Sequence, residues 1–196
     1  MINCNEGTDG KSYASIEKAI QLAAIAHRGQ KRKGTDIPYI THPFGVGVLL
    51  CRAGCPEEVV IAGILHDTIE DTTLTLAEIR GEFGERVAST VEACSEPDKS
   101  LPWEERKRHT LEFLNSAPND VRFVALADKL NNVRAISSDY RENGEGFWER
   151  FNRGKEDHKW YYQGLVAALK DDSGDQAYQE LHSQFAREVK AVFGDA

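Results

Sequence analysis

The chain has 196 residues, 40% of them hydrophobic and 29% charged, as in an ordinary globular protein with enough chain for one sizeable core. A formal net charge of −8 argues against a nucleic-acid polymer as partner, because that contact needs a basic face, although a local cationic cluster can still hold a small anion. No apolar run approaches the roughly 20 residues of a membrane span. The N-terminus MINCNEGTDGK also lacks the basic and apolar regions of a secretory signal, so a cytoplasmic protein with no membrane contact is expected.

The elements read as helix throughout. SIEKAIQLAAIAHRG places apolar residues at 16, 19, 20 and 22–26 and ends near Gly29. RKGTDIPYITHP is a loop punctuated by Gly34, Pro38 and Pro43, and Pro43 suits the first turn of the helix FGVGVLLCRAG. Pro56 opens EEVVIAGILHDTIED in the same way, as one uninterrupted helix. Thr75 and Glu78 match a capping box ahead of IRGEFGERVASTVEAC, which Gly81 and Gly84 break into two pieces. After the polar loop SEPDKSLP, prolines start the helices PWEERKRHTLEFLNS and PNDVRFVALADKLNNVRAIS; GFWERF, EDHKWYYQGLVAALK and DQAYQELHSQFAREVKAVF complete the chain. No repeat and no run of period-2 strands is visible. An all-α bundle of about ten helices in a single domain over 1–196 is expected.

Cys4, Cys51, Cys55 and Cys94 lack CxxC spacing and read as buried free thiols. Trp160, Tyr161 and Tyr162 read as core, with one ring reaching a pocket edge. In WEERKRH, Arg106, Lys107 and Arg108 read as an exposed helix face balanced by Glu104 and Glu105. His27 reads as a cap or a support to a site; His109, His158 and His182 show no supporting pattern.

The anomaly is ILHDTIEDTT. His66, Asp67, Glu70 and Asp71 follow the apolar run VVIAGIL within six residues, and on a continuous helix they fall within roughly 140° of arc. Like-charge pairs at i,i+3 and i,i+4 cost about 0.2–0.5 kcal/mol each even when solvated, so something positive should sit against that face. Two other places repeat the pattern. His42 lies in the Pro-flanked loop PYITHP directly before an apolar helix, and Asp128 follows the apolar run VRFVALA. Any one of these is commonly a hydrogen-bonded core residue or a cap, but His42, His66, Asp67 and Asp128 jointly would make a mixed nitrogen and oxygen site for Mn, Fe or Zn, with six-coordinate Mn²⁺ favoured. The cationic cluster Arg28, Lys31, Arg32 and Lys33 is either a solvated loop or a polyphosphate contact; beside such a constellation, phosphate binding by Arg32 and Lys33 is favoured. Lys129 is grouped with them as a substrate contact.

AHRGQKRKG (26–34), PYITHP (38–43), LHDTIEDT (65–72), FGERVA (83–88) and ALADKLNNVR (125–134) together resemble the HD-domain phosphohydrolases, in particular the hydrolase domain of RelA/SpoT homologues and the stand-alone small alarmone hydrolases. The resemblance spans about residues 19 to 137 and implies metal ligands His42, His66, Asp67 and Asp128 and catalytic carboxylates Glu70 and Asp71. Asn132 would join the substrate-binding wall. It further implies one Mn²⁺ and removal of the 3′-pyrophosphate from guanosine tetra- or pentaphosphate, a small anionic nucleotide. Two departures touch the base pocket: Gly34 directly follows Lys33 in a loop of slightly altered length, and Ala135 stands where the long enzymes commonly have Thr. The length leaves no room for the synthetase domain of those forms, so a hydrolase alone is expected. The rival readings are a phosphatase on another nucleotide, such as the 2′-phosphate of NADPH, and a catalytically silent nucleotide-binding module.

Overall fold

The most apolar stretch of the chain sets the centre of the fold. In the computed structural model, which describes residues 11–96, 100–170 and 174–194, helix α3 (Glu57–Leu65) buries every residue from Val59 to Leu65. A helix apolar on all sides is stable only inside a shell of others. Here α1 (Lys11–Ala26), α2 (Thr41–Arg52), α6 (Glu85–Cys94) and α8 (Asn119–Asn143) supply that shell. Each fully buried Val, Leu or Ile side chain contributes about 1.5–3 kcal/mol, which makes this run the anchor of the bundle.

Helices α2 and α3 lie close because glycines face the contact. A Cβ on Gly63 would come within 2.2 Å of Leu50 Cδ1, and one on Gly47 within 2.7 Å of Ile64 Cγ1. The pair runs antiparallel, so His42 at the start of α2 meets His66 just past the end of α3, with ring centroids 5.2 Å apart.

The expected continuous helix through residue 71 is not formed. α3 stops at Leu65, the chain turns at Asp67 (φ −92°, ψ −7°), and a single turn, α4 (Thr68–Asp71), follows. The cause is local competition for carbonyls: His66 Nδ1 bonds Gly63 O at 2.8 Å and Thr68 Oγ1 donates to Leu65 O at 2.6 Å. His66 and Asp67 are thereby set at a corner, not along a stripe.

Downstream, Thr75 and Glu78 form the expected capping box of α5 (Leu76–Phe83). The break before α6 falls at Gly84 alone, whose φ of 86° only glycine adopts without strain; Gly81 stays inside α5. α7 (Trp103–Leu114) packs on α9 (Lys155–Ala168), and α8 on α10 (Gln176–Phe193), which Asp175 caps at Tyr178 N. Buried Arg122 of α8 bonds Leu114 O at 2.5 Å and Ala168 O at 3.3 Å, so one guanidinium closes the C-termini of α7 and α9. GFWER lies in a 3-10 helix, Gly144–Arg150, and Phe151 follows it in extended conformation. The described residues contain ten α-helices, this 3-10 helix and no strand, which is the expected all-α class. None of the described helices is long and apolar enough to cross a membrane. The described cysteines are free, but against the expectation of buried thiols Cys51, near the end of α2, is exposed and Cys55 and Cys94 are half-buried; Cys4 lies outside the described residues.

Candidate metal centre

Four side chains from three places in the chain converge at the corner after α3. His42 comes from the first turn of α2, His66 and Asp67 from the turn, and Asp128 from the middle of α8. His66 Nε2 lies 3.1 Å from Asp67 Oδ2 and 3.8 Å from Asp128 Oδ1, and His42 Nε2 lies 3.5 and 3.2 Å from the same two atoms. One ligand atom each from His42, His66 and Asp128 falls within a 4.8 Å group, with Asp67 beside both imidazoles. Burial is nearly complete for the histidines, at 2% and 4% exposure.

The arrangement fits a cation. Both Nδ1 atoms are engaged from behind, His42 by Asn131 Oδ1 at 2.8 Å and His66 by Gly63 O at 2.8 Å, which fixes the rings with Nε2 facing the centre. His66 Nε2 is buried with no hydrogen-bond partner, an orphan that a Lewis acid would satisfy. In the bare cluster the positive charge comes from protons. Burial pulls the His42 pKa down, but Asp128 and Asp67 outweigh it and raise it to about 9. Asp128 resists its burial through Lys129 and the two imidazoles, which hold it well below the usual carboxylate range. The imidazole pair is thus the positive partner of Asp67 and Asp128, and Asp128 gains a third from Lys129, whose Nζ lies 2.7 Å from its Oδ2.

A second layer holds the cluster. Tyr39 OH donates to Asp67 Oδ2 at 2.5 Å, and its ring packs between His27 and His42 at centroid distances of 5.0 and 5.8 Å. His27 Nδ1 bonds Gln30 Oε1 at 2.8 Å, and Gln30 Nε2 donates to Asp71 O at 2.7 Å.

Two cavities adjoin the cluster, one bordered by it and one joined to it by hydrogen bonds. The smaller, about 290 Å³, is lined by Arg32, Lys33, Asn132, Ala135, Phe151 and Tyr162 among others. Arg32 Nη2 donates to Asn132 Oδ1 at 3.2 Å, and Asn132 Nδ2 donates to Asp128 Oδ1 at 2.6 Å, so a two-bond bridge joins this cavity to the cluster. Lys33 Nζ stands 5.2 Å from the Phe151 ring centroid. The larger, about 530 Å³, is bounded by His66, Asp67 and Asp128, and then by Glu70, Lys129, Arg106 and Lys107. Asp71 is exposed and lines neither cavity, because the one-turn α4 carries it past the corner; Arg28 and Lys31 likewise line neither, and Lys31 pairs with Asp36.

Several contributors escape sequence reasoning. Arg106 and Lys107 turn inward to bind Glu96, while Arg108 alone keeps the exposed pairing, with Glu104 at 2.8 Å. The available signal was the i,i+3,i+4,i+7 set Arg106, His109, Thr110 and Phe113, all of which line the larger cavity. Tyr161 and Tyr162 are core and border the larger and smaller cavities respectively, whereas Trp160 is 37% exposed; His158 borders the smaller cavity.

The profile of the HD domain family matches residues 19–149. The guanosine-3′,5′-bis(diphosphate) 3′-pyrophosphohydrolase MESH1 of Homo sapiens is 40% identical over 157 residues, covering 79% of this chain and 84% of that one. The same-named protein of Mus musculus is 42% identical over 131 residues, covering 65% and 73%. Among solved structures, a metazoan ortholog of SpoT described as hydrolyzing ppGpp superposes with a TM-score of 0.72 at 29% identity, covering 89% of this chain and 95% of that one. A Listeria monocytogenes protein superposes with a TM-score of 0.73 at 38% identity, covering 79% and 99%.

Proposed function

We infer that this chain, which belongs to the HD-domain family, is a guanosine-3′,5′-bis(diphosphate) 3′-pyrophosphohydrolase. On the geometry, the reading is carried by one observation: the convergence of two Nε2 atoms and two carboxylates between a cavity with Arg32 and Asn132 and a cavity with Glu70.

His42, His66, Asp67 and Asp128 hold a divalent cation, and the mixed imidazole and carboxylate donor set favours manganese. When bound, that cation supplies Lewis-acid polarisation of the phosphoryl oxygen and an activated water. Arg32, Lys33 and Asn132 take the nucleotide in the smaller cavity, where Phe151 and Tyr162 offer apolar faces to a base. Glu70, on the wall of the larger cavity, orients and deprotonates the attacking water; Asp71, expected to share that proton work, lines neither cavity and is left out of the step. Water's oxygen bonds to the phosphorus on the 3′-oxygen, the P–O3′ bond breaks, and the proton ends on the 3′-oxygen. A nucleoside 5′-diphosphate and pyrophosphate result. Lys129 steadies Asp128 and adds charge beside the diphosphate.

Incubation of the Mn²⁺-loaded protein with guanosine tetraphosphate should yield GDP and pyrophosphate in equal amounts. Its kcat/KM should exceed that for NADPH at least about tenfold, a difference of roughly 1.4 kcal/mol in transition-state binding. Faster release of orthophosphate from NADPH would overturn the assignment, and cation binding with no product from either would reduce the chain to a binding module.

A further inference from the structure

The larger cavity is bigger than a reacting phosphorus and a water require, and its far wall is cationic. Arg106 and Lys107 of α7 both bind the carboxylate of Glu96, and all three side chains are part-buried. Two cations thus share one anion, with Lys129 as a third on the same wall. Burial, Lys129 and Arg106 together push the Lys107 pKa down against the pull of Glu96, as expected of a site with surplus positive charge. The acidic groups on this cavity are otherwise Asp67 and Asp128 in the cluster, Glu70 near it, and exposed Glu92. Glu96 also donates its backbone N–H to Glu70 Oε2 at 3.3 Å, so it stands between the carboxylate that works on water and the two cations.

We propose that Arg106 and Lys107 form the subsite for the terminal phosphate of the 3′-diphosphate, and that the Glu96 carboxylate holds this subsite until the phosphate displaces it. The proposal rests on the pyrophosphohydrolase reading. With the nucleoside in the smaller cavity and the reacting phosphorus at the cluster, the terminal phosphate extends into the larger one. A phosphate offers more charge and more acceptor oxygens to a guanidinium and an ammonium than a carboxylate does. The wall therefore selects diphosphoryl over monophosphoryl esters.

The test compares guanosine 3′,5′-bis(diphosphate) with the analogue carrying a single 3′-phosphate, followed as a substrate or as a competing inhibitor of the Mn²⁺-loaded protein. Arg106→Gln with Lys107→Gln should lose at least about tenfold more affinity or kcat/KM toward the diphosphate than toward the monophosphate. Glu96→Gln, which frees the cations, should lower KM for the diphosphate several-fold and leave the monophosphate less affected. Metal content and melting curves of each variant establish that the fold is kept. Equal losses on both compounds, no change on either, or a Glu96→Gln variant that binds the diphosphate more weakly would overturn the subsite. If the wild type releases no pyrophosphate from the tetraphosphate, the parent reading fails and the subsite with it.

Discussion

Gly45→Ala should weaken divalent-cation binding about 10–100-fold, although Gly45 is not itself one of the four candidate ligands. A Cβ at position 45 would lie 2.2 Å from Asn131 Nδ2 and 3.1 Å from its Cγ. Ordinary contact begins near 3.4 Å, so the amide has to withdraw by about 1.2 Å. That displacement takes the 2.8 Å bond between Asn131 Oδ1 and His42 Nδ1 beyond hydrogen-bonding range and frees the imidazole to rotate away from the centre. The loss corresponds to roughly 1.4–2.7 kcal/mol of binding free energy. Titration of Mn²⁺ against a fluorescent chelator reads it directly. Asn131→Ala should reproduce the loss, and the double variant should add little to either change, because both act through one bond. Gly81→Ala, whose added methyl meets nothing within 4 Å, is the control. Wild-type affinity in Gly45→Ala, or fully additive losses in the double variant, would refute the reasoning.

Three further outcomes are expected. Glu70→Gln should retain the metal and the fold while turnover falls about 10²–10⁴-fold, as single-turnover assays would show; loss of metal along with activity would contradict the role. Arg32→Ala with Lys33→Ala should mainly raise KM for the nucleotide, with a weaker salt dependence than the wild type, since charge-assisted contacts are worth about 1.5–3 kcal/mol each before screening. In chelated protein, His42 carries a folded-state pKa raised from 6.5 to about 9, so its contribution is fully present below pH 6.5 and is lost as pH rises through 9. Melting temperature should fall across that window and recover on Mn²⁺ addition; a flat profile without metal would argue against the imidazole–carboxylate pairing.

What sequence alone could reach follows from the range of the forces involved. The run Val59–Leu65 reads as a buried helix because an unbroken apolar stretch has only one use, and the Thr75–Glu78 capping box is a contact three residues long. His42, His66, Asp67 and Asp128 stand out because each interrupts an apolar context, and the structure gathers them at one point. The corner at Asp67 was not legible, since it depends on His66 Nδ1 and Thr68 Oγ1 taking carbonyls that a helical wheel assigns to the backbone. Nor was the inward turn of Arg106 and Lys107, whose partner Glu96 lies on a loop before α7 and looks no different in sequence from the Glu104 that pairs with Arg108. Asn131 is similar: its role is set by a packing distance to α2 that no spacing rule encodes.

Helix α8 carries Asp128 and Lys129 at the cluster, Asn132 one turn on, and then Ala135 and Asp139 on the wall of the smaller cavity. At 1.5 Å per residue, the step from Asp128 to Asp139 is about 16 Å along a single rigid axis. Reactivity and selectivity are thus written at different heights on one rod. Substitutions at 135 and 139 can reshape what the pocket admits while leaving the candidate metal-binding turn in register, and Asn132, bonded to both Asp128 and Arg32, cannot drift without disturbing each end. A lineage with this scaffold could change its nucleotide by a few exchanges beyond residue 132 and keep the same hydrolytic centre.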